Sequence, residues 1–249
     1  MKVLLSGRDG GTTHREVALL GSLPPGLRLI GGLAVMCRVG APHRATVDID
    51  ALARGMPEVH QVLSRLAVTA TDGGRYSFAG DMSLDVIEVS PDPAASLTSE
   101  LLAQGELSEL EINAIAHVWA HDTATLLDIA AVDELTGRPL AEAAGRLVAT
   151  TPGLVAMKAS TVALRASSKP EKRASDLYDL GRLLVDGGMR AGGLAELPDA
   201  AREPLLERIH RHFVDPAGRD RTYREVRRFG EPPLDLDAAA DAAEFLVSG

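Results

Sequence analysis

Val47-Asp48-Ile49-Asp50-Ala51-Leu52 alternates apolar and acidic side chains with a period of two, the pattern of a strand with one buried face. On such a strand Asp48 and Asp50 project to the same side, about 6.5 to 7 Å apart along the chain. Two hard anions facing one pocket repel unless a cation joins them, and Mg²⁺, which prefers octahedral oxygen ligands, suits the task. Leu84-Asp85-Val86 sets a third acid among apolar neighbours on a strand able to lie beside the first. Asp85 therefore completes the candidate metal set, whereas Glu88 falls on the opposite pleat.

Upstream, Leu27-Arg28-Leu29-Ile30 reads as a strand that stops at Gly31-Gly32, with a helix expected over Leu33 to Arg38. Glycines between a strand end and a helix start let backbone N–H groups approach an anion, aided by the partial positive charge of the helix N-terminus. Gly31 and Gly32 are thus a candidate phosphate seat. Taken singly, a Gly-Gly pair is also a plain tight turn, and a strand Asp-x-Asp is also a solvated face. Their order and spacing together point to a site.

Working outward, Thr13 to Leu20 reads as a short helix. Ala67 to Ala70, Tyr76 to Phe78 and Leu84 to Val89 read as three short strands in a meander, the first two parted by a turn at Asp72-Gly73-Gly74. Leu101 to Trp119 leans helical, and Thr125 to Val132 and Arg146 to Ala149 lean extended on either side of a turn at Thr136-Gly137-Arg138-Pro139. Pro152 suits a helix's first turn, after which Leu154, Met157, Thr161 and Leu164 recur at helical spacing. A second helix is expected over Ala174 to Leu184, closing at Gly187-Gly188. Beyond it come helices broken at Asp215-Pro216 and Pro232-Pro233. The expected fold is α+β, a mixed sheet with flanking helices over residues 1–150, followed by a helical part over 151–249 that completes the active-site cleft.

Composition narrows the function classes. The chain has 249 residues, 45% hydrophobic and 24% charged, as in ordinary globular proteins, but only 3% aromatic, so the core must rest on Leu, Val and Ala. No apolar run approaches the roughly 20 residues of a bilayer span, and charges follow Met1-Lys2-Val3-Leu4-Leu5 before a leader peptide could form. A single cysteine, Cys37, excludes an internal disulfide and any multi-cysteine zinc site. A cytoplasmic protein without membrane association is the expectation. The net charge of −9 argues against a general polyanion-binding surface, so any RNA contact must use a local patch. The candidates are Arg219 to Arg228, with five arginines against two acids, and a second patch at Lys169, Lys172 and Arg173. His117 and His121 stand at i, i+4, but the Glu of H-E-x-x-H is missing. Sequence fingerprints of a triad hydrolase, a P-loop NTPase and a Rossmann dehydrogenase are absent as well.

The order Gly31-Gly32, then His43-Arg44-Ala45-Thr46-Val47-Asp48-Ile49-Asp50, then Leu84-Asp85-Val86 resembles the polymerase-β-like nucleotidyltransferase superfamily. More narrowly, it is similar to the AbiEii/AbiGii and MenT-type toxin nucleotidyltransferases. The likeness continues through Leu154-Val155-Ala156-Met157-Lys158 and Lys172-Arg173-Ala174-Ser175-Asp176-Leu177-Tyr178-Asp179-Leu180, so it spans residues 30 to 184. Where the superfamily often has Gly-Ser, this chain has Gly31-Gly32, and phosphate binding would lean on backbone groups.

The resemblance implies NMP transfer from an NTP to an RNA end, foremost the tRNA 3′ acceptor, by the toxin of a toxin–antitoxin pair. It implies Mg²⁺, or Mn²⁺, on Asp48, Asp50 and Asp85, with Asp85 also activating the acceptor hydroxyl. Lys158 would pair with the triphosphate, and Asp176 would orient Lys158 or contact the nucleotide. Arg44 would touch phosphate or lock the loop, where an exposed loop arginine is the plain alternative, and Thr46, beside the metal ligands, would be open to phosphorylation by a cognate antitoxin. Read without the family, Lys158 is a solvated helix charge, Asp176 with Asp179 an exposed helix face, and Thr46 an ordinary β-branched strand residue. Two other functions compete with RNA modification: nucleotidyl transfer to a protein or small molecule, and a catalytically silent binding module of the same fold.

Overall fold

The computed structural model describes residues 1–40, 48–71, 73–165, 169–229 and 232–247. The chain divides into two compact units, one formed by residues 1–89 and 124–149 and the other by residues 90–123 and 150–249.

The first unit carries every strand found among the described residues: β1 (Lys2–Gly7), β2 (Arg28–Ile30), β3 (Asp48–Ala53), β4 (Thr69–Ala70), β5 (Arg75–Phe78), β6 (Met82–Glu88), β7 (Thr125–Asp133) and β8 (Pro139–Val148). They form one mixed sheet in the order β1-β7-β8-β2-β3-β6-β5-β4. Its central strands β3 and β6 run parallel, whereas β4, β5 and β6 form the expected antiparallel meander. The alternation around Ile49 works as its pattern requires. Ile49, Ala51, Leu84 and Val86 are buried on one side of the sheet, and Asp48, Asp50 and Asp85 stand half-buried on the other. Helices α1 (Thr12–Ser22), α2 (Gly31–Val39) and α3 (Met56–Leu66) flank the sheet.

Two of these elements lie where no element was expected. β1 is legible as Val3 and Leu5 facing inward from a short alternating run, and it pairs in parallel with β7 from Lys2↔Asp128 to Gly7↔Asp133. α3 buries only Leu63.

The second unit is helical: α4 (Ala94–Leu102), α5 (Glu109–Asp122), α6 (Thr151–Leu164), α7 (Pro170–Asp186), α8 (Asp199–Phe213), α9 (Pro216–Val226) and α10 (Leu236–Val247). The helical stretch expected over Leu101 to Trp119 is in fact two helices. Ser108 caps the second, its hydroxyl accepting from the Glu111 N–H while Glu111 reaches back to the Ser108 N–H at 2.7 Å.

Segment 90–123, taken from sequence as part of the α+β front, groups instead with the C-terminal helices. The cause is the packing of α5 on α6: a Cβ at Gly153 would come within 3.0 Å of the Ala120 Cα, so the absent side chain lets the two backbones approach. Asn113 adds a polar tie, donating to the Ser160 hydroxyl at 2.9 Å. Later in the chain, Asp215 accepts from the Gly218 N–H at 2.8 Å and caps α9, which is why the chain breaks at Asp215-Pro216.

Among the described residues this is a mixed α/β molecule with an eight-stranded sheet, flanking helices and a helical C-terminal part. No helix there is long and apolar enough to cross a membrane.

Candidate functional site

The parallel pairing of β3 with β6 sets Asp48 opposite Ser83 and Asp50 opposite Asp85. Register partners in a sheet share a face, so the three acids proposed from sequence stand together on the exposed side of the two central strands. Ser83 donates its hydroxyl to Asp48 Oδ1.

A residue not singled out from sequence joins them. Arg75 on β5 pairs in register with Asp85. Its guanidinium reaches across β6, with Nη1 3.6 Å from Asp85 Oδ2, Nη2 3.4 Å from Asp48 Oδ1, and Nη2 3.3 Å from the Ser83 hydroxyl. The only available signal was alternation, because Tyr76 points into the core and Arg75 must therefore face the acids.

Gly31 closes the other flank. It opens α2 with φ +68°, and a Cβ there would lie 2.1 Å from Asp50 Oδ2 and 2.9 Å from Asp50 Cβ. A glycine is therefore needed twice over, for the left-handed backbone and for the close approach of Asp50. Ile30, the residue before α2, supplies no side-chain cap to the helix, and first-turn N–H groups are the donors that a helix N-terminus presents to an anion. Gly32 is buried in that first turn. Gly31→Ala should cost about 1 to 3 kcal/mol of stability through backbone strain alone, and should displace Asp50 as well. Chemical denaturation read beside nucleotide binding checks both effects, and unchanged values of both would show the glycine to be dispensable.

Asp48, Asp50 and Asp85 offer the hard carboxylate oxygens that Mg²⁺ or Mn²⁺ takes. Among the described residues no group of three or more His, Cys, Asp and Glu side chains is drawn together as an ion cage. Instead, Asp48 and Asp85 share the positive charge of Arg75. The donor set fits a divalent cation in its chemistry and its register, with a guanidinium lying between two of the acids.

Lys158 and Asp176 belong to the helical unit and are buried together. The Lys158 ammonium donates to Asp176 Oδ1 and to Asp179 Oδ2, both at 2.7 Å, and Arg165 donates to Asp176 Oδ2. Reading Asp176 and Asp179 as an exposed helix face is thus overturned, because they are 3% and 0% exposed. Nor is Lys158 a solvated surface charge. Asp179, not proposed from sequence, joins Asp176 on Lys158, and its spacing of three puts both acids on one helix face. Among the described residues two cations and two anions meet here, and pairing of this kind is how charge is tolerated at this depth.

Arg44 and Thr46 lie outside the described residues. The basic stretch in α9 is largely consumed internally: Arg219 pairs with Asp237, Arg224 with Asp220, and Glu225 accepts from Arg173. Arg228 donates to the Glu171 carbonyl and stacks 5.2 Å over Phe229. Both candidate RNA patches therefore offer less free charge than their sequences suggest. His117 accounts for one of its ring nitrogens through a 2.7 Å hydrogen bond to the Asn113 carbonyl, and burial holds its pKa below the ordinary imidazole value. Burial also pushes the Cys37 thiol up to about 12, so it stays protonated and unreactive.

Comparison with curated proteins finds no match to this chain. The family model for "Nucleotidyl transferase AbiEii toxin, Type IV TA system" matches residues 18–248, which takes in both units, the acids, the glycine pair and the lysine cluster, and the chain belongs to that family of nucleotidyltransferase toxins.

Proposed function

We propose that the chain transfers NMP from an NTP to an RNA acceptor, foremost the tRNA 3′ end, in a reaction that depends on Mg²⁺ or Mn²⁺. The observation that carries this reading is the placing of Asp50 beside Asp85 and against Gly31 at the start of α2.

Asp48 and Asp50 are the residues to hold the cation that accompanies the triphosphate, with Asp85 completing the set. When bound, the cation supplies a Lewis acid and neutralises the charge that builds on the leaving pyrophosphate. Backbone N–H groups at Gly31 and Gly32 seat phosphate oxygens. Asp85 takes the proton of the acceptor hydroxyl as its oxygen bonds to the α-phosphorus and the bond to pyrophosphate breaks. Lys158 and Asp176 are assigned to the same reaction on the family likeness, the first as a charge for phosphate and the second as its orienting partner. The family also supports an antitoxin partner, with Thr46 its modification target, and a cytoplasmic setting.

Incubation with Mg²⁺, each labelled NTP in turn, and total tRNA, a protein mixture or small hydroxylated and aminated acceptors tests the reading. Label should enter tRNA and vanish in Asp50→Ala. Label confined to protein or to a small molecule would move the acceptor class, and label in none would favour a silent binding module.

A further inference from the structure

Outside the roles assigned above, the half-exposed Arg75 is a cation that touches the acidic face. We propose that Arg75 is a placeholder for the divalent ion: its guanidinium neutralises Asp48 and Asp85 when no metal is bound, and must swing out for metal to enter. This rests on the reading of the three acids as metal ligands.

Three observations carry it. First, the same two side chains expected to ligate the ion are the ones the guanidinium bridges, from a strand two places away from Asp48 in the sheet. Without a cation, Asp48, Asp50 and Asp85 would set three like charges on adjoining positions of paired strands, which opposes the pairing. Secondly, the pairs are loose. At 3.4 and 3.6 Å they are longer than well-formed charge-assisted hydrogen bonds, and the Arg75 side chain is 53% exposed, with a further long hydrogen bond of 3.3 Å to the Ser83 hydroxyl. Thirdly, Arg75 projects from β5, which has only the two-residue β4 beyond it in the sheet, so solvent lies within reach of a single change of rotamer. A guanidinium and a divalent cation cannot share Asp48 and Asp85 at these distances without strong repulsion. Arg75 thereby sets the concentration of metal at which the site fills, and guards the sheet against its own acids when metal is scarce.

Mn²⁺ titration of the full chain, followed by electron paramagnetic resonance of the free ion, tests this without any substrate. Exposed ion pairs of this kind shift an equilibrium by up to about fivefold each. Arg75→Gln should therefore bind Mn²⁺ roughly five- to twentyfold more tightly than the native chain. Arg75→Lys keeps the charge but lacks the fork that spans two acids, and should bind about two- to threefold more tightly. Without metal, Arg75→Gln should melt at a lower temperature than the native chain, and Mn²⁺ should raise its melting point by more. Equal affinity in all three proteins, with binding lost in Asp50→Asn, would overturn the placeholder while leaving the metal site standing. Tightening in Arg75→Gln but none in Arg75→Lys would also overturn it, since a distant field effect would then suffice. No Mn²⁺ binding by any of them would remove both ideas together.

Discussion

Asp50→Asn should lower nucleotidyl transfer by at least about a thousandfold, since loss of a metal-holding carboxylate removes several kcal/mol of transition-state stabilisation. The variant should fold as the native chain does. Asparagine keeps the shape of the side chain, with one acceptor oxygen replaced by an NH2 donor, and removing one negative charge beside Asp85 relieves repulsion between register partners. Its melting temperature is expected within a few degrees of the native value, or above it in the absence of metal. Transfer of labelled nucleotide and thermal unfolding of the same preparation separate the two effects. A variant that retains near-native transfer would remove Asp50 from the chemistry.

Lys158→Met should have the largest effect on stability. The ammonium is enclosed, and its two acceptors, Asp176 and Asp179, are buried at 3% and 0% exposure. Removing it leaves Asp176 with Arg165 and takes from Asp179 the ammonium that it accepts from, and breaking one side of a buried ion pair costs about 3 to 5 kcal/mol. The loss should be partly recovered in Lys158→Met/Asp179→Asn, where the stranded charge is removed too, so the double-mutant cycle should show strong coupling. Urea unfolding at neutral pH checks this, and an additive pair of losses would mean that Lys158 and Asp179 act separately. Because Lys158 is also assigned to phosphate, residual transfer must be measured well below the melting temperature of each variant.

Legibility in the sequence followed how local the physics was. The acidic strand and its partner could be read because alternation with period two is imposed by burying one face, and β3 obeys it over Asp48 to Ala51 and β6 over Leu84 to Val86. Gly31 could be read as a phosphate seat, but its tight fit against Asp50 could not, as that contact joins the start of α2 to β3, elements apart in sequence. Arg75 was hidden for the same reason: its place opposite Asp85 depends on the register of the β5–β6 hairpin, set by a turn with Gly80 and Asp81 both at positive φ. Asp179 was misjudged because i, i+3 acids are normally solvated, and only the facing Lys158 on another helix reverses that expectation. Segment 90–123 was assigned by position in the chain, whereas packing against Gly153 decides where it belongs.

The most direct measurement is the count of Mn²⁺ ions bound by the full chain with a non-transferable NTP analogue, in native and Asp50→Asn forms. Native protein should bind Mn²⁺ more tightly with the analogue than without it, and Asp50→Asn should lose that gain. Equal binding by both proteins, or none by the native chain, would contradict the assignment of these strands to a metal–triphosphate site.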